Sequence, residues 1–121
     1  MFIQFAELPV FNQERAKNFY VDHFDCCVVA DTPMAPDGWR WIEMKFQGAE
    51  TTLHFLRRPD EMPSSGPLLV LVEDDVEGRI SALAERGVKI LTHAKAAPYA
   101  ANRTIAEIED SEGNRIAISS R

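Results

Sequence analysis

The chain has 121 residues, 45% apolar and 26% charged, and its 19 acidic against 13 basic side chains leave a net charge of −6. This is one domain's worth of ordinary globular sequence. It has no apolar run near the roughly 20 residues that cross a bilayer and no basic face for phosphate contacts, so neither a membrane span nor nucleic-acid binding is expected. The N-terminus lacks a basic stretch followed by an apolar one, which points to the cytoplasm.

In chain order, Phe2–Val10 reads as a strand. Asn12 can cap a helix after it, with Glu14 in the first turn where the dipole favours an anion. Ala16, Phe19, Tyr20, His23 and Phe24 recur at helical spacing and form one buried stripe. Cys26–Thr32 follows as a valine-rich strand. Its adjacent cysteines, the only two in the chain, would point to opposite faces and are read as reduced thiols. Pro33, Pro36 and Asp37-Gly38 punctuate a connection. Trp39–Phe46 then alternates, with Trp39, Trp41, Glu43 and Lys45 on one face and Arg40, Ile42, Met44 and Phe46 on the other. A turn at Gln47-Gly48 returns the chain as Glu50–Leu56, giving a hairpin.

The stretch 58–66, with Pro59, Pro63, Ser64, Ser65 and Gly66, is a linker. Beyond it the pattern repeats. Pro67–Val72 runs into Asp74 or Asp75 as a cap, and Val76, Ile80, Leu83 and Ala84 form a second apolar stripe. Gly87 ends that helix. Val88–Thr92 is a strand, Ala94–Asn102 a small-residue loop and Arg103–Glu109 a further strand. Asp110-Ser111-Glu112-Gly113-Asn114 is a tight turn before a last strand, Arg115–Ser119. Val10 and Val72 mark equivalent points of two copies. The reading is an α+β chain of two tandem βαβββ modules within a single domain, 1–121: module one about 1–57 and module two 67–121.

This order, with Leu8-Pro9-Val10, Glu14-Arg15-Ala16-Lys17 and Phe19-Tyr20 in the first half, resembles the vicinal oxygen chelate superfamily of glyoxalase I, extradiol dioxygenases and bleomycin-resistance proteins. The second half adds Leu71-Val72-Glu73-Asp74 and Asp110-Ser111-Glu112-Gly113-Asn114-Arg115-Ile116. The resemblance spans essentially the whole chain. It implies a curved, mostly antiparallel sheet around a cleft, and a homodimer.

In such a unit one sheet face packs on the helix and the other lines the cleft, so alternation sorts the side chains. Leu8, Val10, Ile42, Met44, Phe46, Leu53 and Phe55 suit the helix side of module one. Phe5, Glu7, Trp39, Trp41, Glu43, Thr52, His54 and Leu56 are then left for the cleft. In module two Leu68, Val70, Val72, Ile116 and Ile118 are expected to pack. Pro67, Leu69, Leu71, Arg103, Ile105, Glu107, Arg115, Ala117 and Ser119 would face inward.

Metal-dependent relatives place His and Glu ligands at four inward positions, which by the resemblance fall on Phe5, His54, Pro67 and Ala117. Only His54 has a donor, and catalytic sites normally use about three protein ligands. No metal or other cofactor is therefore expected. The alternative is a displaced divalent-metal site drawing on Glu7, Glu43, His54 and Glu107. Two indoles on one strand face with Glu43 beyond them form a stacking surface with a charged end, suited to a small molecule or to a subunit interface. His23 and His93 are read as structural.

The expected function is metal-free binding of a small molecule in an aromatic cleft. Its residues would be Phe5, Glu7, Trp39, Trp41, Glu43, His54, Arg103, Glu107 and Arg115. One rival is a lyase, isomerase or dioxygenase using the displaced metal or His54 as general base; another is a dimer with no ligand.

Overall fold

The computed structural model describes residues 1–61 and 64–121. Met62 and Pro63, part of the expected linker, lie outside the described residues. Two compact units, Met1–Glu61 and Met62–Arg121, divide the chain. No helix among the described residues is long and apolar enough to cross a membrane.

Module one consists of β1 (Phe5–Val10), α1 (Gln13–Phe24), β2 (Cys27–Pro33), β3 (Arg40–Lys45) and β4 (Thr52–Arg57). Its sheet has the order β1-β4-β3-β2. The β1–β4 pair is parallel and the other two are antiparallel. Asn12 caps α1 as its sequence suggests, its side chain accepting a hydrogen bond from Arg15 N at 3.0 Å. The helix stops where Asp25 takes a left-handed conformation, φ 54°, which aspartate tolerates better than most residues. Leu8, Val10, Ile42, Met44, Leu53 and Phe55 are buried with Ala16 and Tyr20. Tyr20 lies within 6.4 Å of the rings of Phe24, Phe46 and Phe55. The helix-facing side of module one is thus the one alternation assigns. Phe19, His23 and Phe24, from the same stripe, are half-buried.

Module two repeats the plan with β5 (Leu69–Val72), α2 (Val76–Glu85), β6 (Lys89–Ala97), β7 (Ala100–Glu109) and β8 (Arg115–Ser119), in the sheet order β5-β8-β7-β6. Asp75, not Asp74, caps α2, accepting from Gly78 N at 2.9 Å. Gly87 follows the helix at φ 84°. The Asp110 turn is built by its own side chain. Asp110 Oδ1 accepts from Glu112 N at 2.8 Å and Asn114 N at 2.9 Å, and Oδ2 from Asn114 Nδ2 at 3.2 Å.

Three expectations for module two are corrected. The face of β5 is reversed: Leu69 and Leu71 pair with Ile116 and Ile118 and share their buried side, whereas Val70 and Val72 pair with Ala117 and Ser119. Val70 and Val72 are 60% and 61% exposed, and Leu68 is exposed too. The small-residue stretch 94–102 is not a loop, because β6 continues to Ala97 and β7 begins at Ala100, with Lys95 opposite Ile105 and Ala96 opposite Thr104. Cross-strand pairing overrides the poor intrinsic strand preference of alanine and lysine there. Ala84 is exposed, so the stripe of α2 is Val76, Ile80 and Leu83.

Candidate functional site

The residues that gather lie on the face of module one's sheet away from α1. Parallel pairing sets Glu7 opposite His54 on one side, and antiparallel pairing sets Glu43 opposite it on the other. One row across three strands therefore reads Glu7, His54, Glu43. Trp41 and Phe5 sit diagonally about that row. The Trp41 indole and His54 imidazole stack with centroids 3.9 Å apart and planes at 28°. Phe5 meets Trp41 edge-on at 5.6 Å and 77°, and its centroid is 6.0 Å from that of His54. Such diagonal contacts are within reach of aromatic side chains on neighbouring strands.

His54 is only 6% exposed. Among the described residues its buried Nδ1 has no hydrogen-bond partner, and the carboxylate oxygen Glu7 Oε1 is 3.7 Å away, beyond hydrogen-bonding distance. An unmade bond at a buried nitrogen costs about 1–3 kcal/mol. Among the described residues, no hydrogen bond or ion pair engages the Glu43 carboxylate. The face thus combines an aromatic platform, a buried polar atom with an open valence and two carboxylates flanking it.

Trp39 is not part of this platform. It lies before β3, and its ring sits under the Arg57 guanidinium at 4.6 Å, a cation–π contact. Arg57 also pairs with Asp37, whose side chain accepts from Trp39 N at 3.1 Å. Both contacts hold the carboxyl of Asp37 below the usual aspartate range, the Trp39 N–H bond being the larger cause. The two indoles expected to act together are thus held by different partners.

In module two, Glu107 and Arg115 are paired with each other. Arg115 further donates from Nη1 to Ser65 O at 2.8 Å, and its backbone N–H donates to Ser64 Oγ at 3.0 Å. Its charge fastens the segment ahead of β5. Arg103 is exposed on β7. Pro67 precedes β5, and the reversed face of that strand puts Leu68 rather than Pro67 in step with Phe5. Ala117 is buried.

Neither proline nor leucine offers a metal donor. With phenylalanine and alanine at two further positions, the set holds one imidazole, which does not fit a divalent ion. Among the described residues, no three His, Cys, Asp or Glu side chains gather closely enough to hold a metal. Cys26 is buried and Cys27 exposed, both as free thiols. Burial, with Cys27 and Asp25 nearby, pushes the Cys26 thiol up to about 12, which leaves it inert as a nucleophile at neutral pH.

Two features on the helix side gave no signal in the sequence. Gln13, the first residue of α1, is buried and bonds the backbone of Arg40: Nε2 donates to Arg40 O at 2.6 Å, and Arg40 N donates to Oε1 at 2.9 Å. The Arg40 side chain in turn joins Glu14 at 2.6 Å and Asp31 at 2.8 Å, and Lys17 reaches Asp31 at 3.1 Å and Glu14 at 3.2 Å. The network holds Asp31 and Glu14 below the ordinary carboxylate range, in each case through Arg40 first, and raises Arg40 and Lys17. Charged residues far apart in sequence carry no mark that they will meet.

A family model described as Glyoxalase/Bleomycin resistance protein/Dioxygenase superfamily matches residues 2–118. The chain belongs to this superfamily. It is 32% identical to TnmS3, an antibiotic binding protein from Streptomyces sp. CB03234, with 99% of this chain and 95% of that one covered and a TM-score of 0.81. A superfamily member from Sphaerobacter thermophilus DSM 20745, 23% identical, shares the fold over 100% of this chain and 98% of that one, with a TM-score of 0.84. The uncharacterized protein YetH of Bacillus subtilis (strain 168) is 26% identical over 108 residues, or 85% of this chain and 84% of that protein. The βαβββ repeat read from the sequence is thus the superfamily's fold, and the superfamily hosts several chemistries, so function must rest on the site itself.

Proposed function

We propose that this superfamily member is a metal-independent binder of planar aromatic small molecules, acting as a cytoplasmic homodimer. The carrying observation is the Trp41–His54 stack at 3.9 Å beside Phe5. A flat ligand gains by adding a ring to such a platform, and Glu7 and Glu43 supply polar ends that orient it. TnmS3, whose description is an antibiotic binding protein, lends support at 32% identity.

The test is a titration monitored by tryptophan fluorescence with two planar probes of opposite charge, 9-aminoacridine and 2-naphthoate. Saturable binding of either, lost in Trp41→Ala and retained in Trp39→Phe, is the expected result. The sign of the preferred probe tells whether the carboxylates dominate. No saturable binding by either probe, with Trp41→Ala indistinguishable from the parent, overturns the reading. Native mass at micromolar concentration tests the dimer separately.

A second reading has one observation in its favour. Glu7 stands next to the Nδ1 of His54, where a small approach would orient the imidazole as a general base. Turnover of a bound compound, abolished by His54→Gln without loss of binding, would favour that reading over simple binding.

A further inference from the structure

Glutamine is mostly exposed in folded proteins, yet Gln13, the first residue of α1, is only 7% exposed. Its counterpart in module two shows that the position does not call for an amide. The spacing that carries the cap Asn12 onto Asp75 carries Gln13 onto Val76, which is buried in the same way. Apolar volume is therefore enough to seat a helix start on its sheet. A buried amide is costly unless both its ends are bonded, and here both bonds go to one backbone residue, Arg40.

Arg40 is where β3 loses one of its two neighbours. β2 still flanks it, with Thr32 opposite Trp41 and with Met34 N and Ala35 N donating to Trp39 O at 3.0 and 3.2 Å. On the other side, registered pairing with β4 covers only Glu43, Met44 and Lys45. The next residue after Arg40 is Trp41. Without another partner the strand end that carries the indole would be held by one edge alone. The side-chain amide of Gln13 presents a donor and an acceptor to the N–H and C=O of one strand residue, as a neighbouring strand would.

We propose that Gln13 is a positioning residue for the ligand platform: acting through Arg40 from the opposite side of the sheet, it fixes Trp41 over His54. This inference rests on the binding reading for its consequence but not for its geometry. Support behind a stacking residue sets how much of the stacking energy a ligand can recover, because a platform that wanders must be ordered on binding.

The experiment reads geometry and binding separately, on the full chain. In the ligand-free parent the His54 imidazole stacks on the Trp41 ring, so its protons should resonate upfield. Gln13→Met keeps length and apolar volume but removes both bonds, and it should move those resonances toward unstacked values. Gln13→Glu keeps the acceptor for Arg40 N and should give an intermediate shift; it also decides the matter if Gln13→Met fails to fold. Asn12→Ala loses the helix cap one residue away and serves as control. It should lower the melting temperature and leave the His54 resonances in place.

For whichever of 9-aminoacridine and 2-naphthoate the parent binds, Gln13→Met should weaken affinity roughly five- to tenfold, the share expected of a stacking contact. Parental His54 resonances in both Gln13 variants, or an equal shift in Asn12→Ala, overturn the inference. A resonance displaced in Gln13→Met, where the parent binds neither probe, upholds the positioning role while removing the binding reading.

Discussion

At the level of His54 the row across module one's sheet reads Glu7, His54, Glu43, and the corresponding row of module two reads Val70, Ala117, Glu107. The spacing that superposes the caps Asn12 and Asp75 puts Glu7 on Val70 and His54 on Ala117. It also puts Leu8 on Leu71, Leu53 on Ile116 and Phe55 on Ile118, and these residues lie on the buried, helix-facing sides. The two copies thus agree where side chains must fill a core and differ on the opposite side of the sheet. Packing density restricts the first set to apolar residues of fitting volume. The second is free of that restriction, and only module one has put an imidazole between carboxylates there.

The comparison is broken most severely at a turn. Module two joins β7 to β8 by a buried aspartate whose two oxygens accept three hydrogen bonds. The corresponding turn of module one relies on the backbone bond from Ala49 N to Phe46 O and on Gly48 at φ 78°. Asp110→Ala strands buried donors and is expected to cost about 3 kcal/mol in urea unfolding. Gln47→Ala, at an exposed position of the module-one turn, should stay within about 0.5 kcal/mol. Equal costs would mean that the two turns are not built on different principles.

Next in size is the contrast between Val10 and Val72, which the sequence repeat aligns but the structure sets one residue out of step, the caps placing Val10 on Glu73. Val10 has 0% exposure, whereas Val72 is mostly solvent-exposed. Val10→Thr buries a hydroxyl and should destabilise by about 2 kcal/mol, while Val72→Thr should change stability by less than about 0.5 kcal/mol. A large loss at Val72 would show that a partner surface covers β5 in solution.

That pair also shows where the sequence stops being readable. In module one, polar residues interrupt the strands: Glu7 between Ala6 and Leu8, and Glu43 between Ile42 and Met44. Alternation then picks out the buried, helix-facing side. Leu68-Leu69-Val70-Leu71-Val72 has no polar residue to set the phase, so alternation has nothing to act on, and the faces of β5 are the reverse of those expected. The caps, the Asp110 turn and the βαβββ order were legible because each depends on local chemistry. The length of β6 depends on what β7 offers across the ladder, and the grip of Gln13 on Arg40 depends on a backbone gap 27 residues away. Neither leaves a local mark. The separation of Trp39 from Trp41 was hidden for the same reason: the partner that takes Trp39 is Arg57, on another strand.

A smaller effect is expected at His54 itself, despite its burial. His54→Ala loses ring contacts with Trp41 and Phe5, which are worth about 0.5–1.5 kcal/mol each. It also removes a buried nitrogen with no partner, whose cost is of similar size. The two offset each other and leave the loss of buried ring area, so thermal unfolding should move by about 1–2 kcal/mol while probe affinity falls. A loss above about 3 kcal/mol would mean that His54 is part of the core and that module one's exceptional row is a packing solution.

The smallest expected effect concerns how each helix is tied down. α2 lies on its sheet through Val76, Ile80 and Leu83 and through Arg79, which pairs with Glu73 at 2.8 Å, whereas α1 has the larger charged network of Glu14, Lys17, Asp31 and Arg40. Arg40 first, and then Lys17, depress Asp31 in the folded state. Its contribution is therefore in place above the unfolded aspartate value of about 3.9 and is lost as the pH falls through the lower folded value. Asp31→Asn should cost under about 1 kcal/mol at neutral pH, as mostly solvated pairs do. That difference from the parent should shrink in acid and in about 1 M salt, where the screening length is about 3 Å. Lys89, paired with Glu109 on the module-two hairpin at 3.2 Å, has no second partner of this kind among the described residues, so Lys89→Met should show a weaker dependence on both. If Asp31→Asn instead kept its full cost at low pH and high salt, the bond geometry of the network, rather than its charge, would be what fastens α1 to the hairpin that carries Trp41.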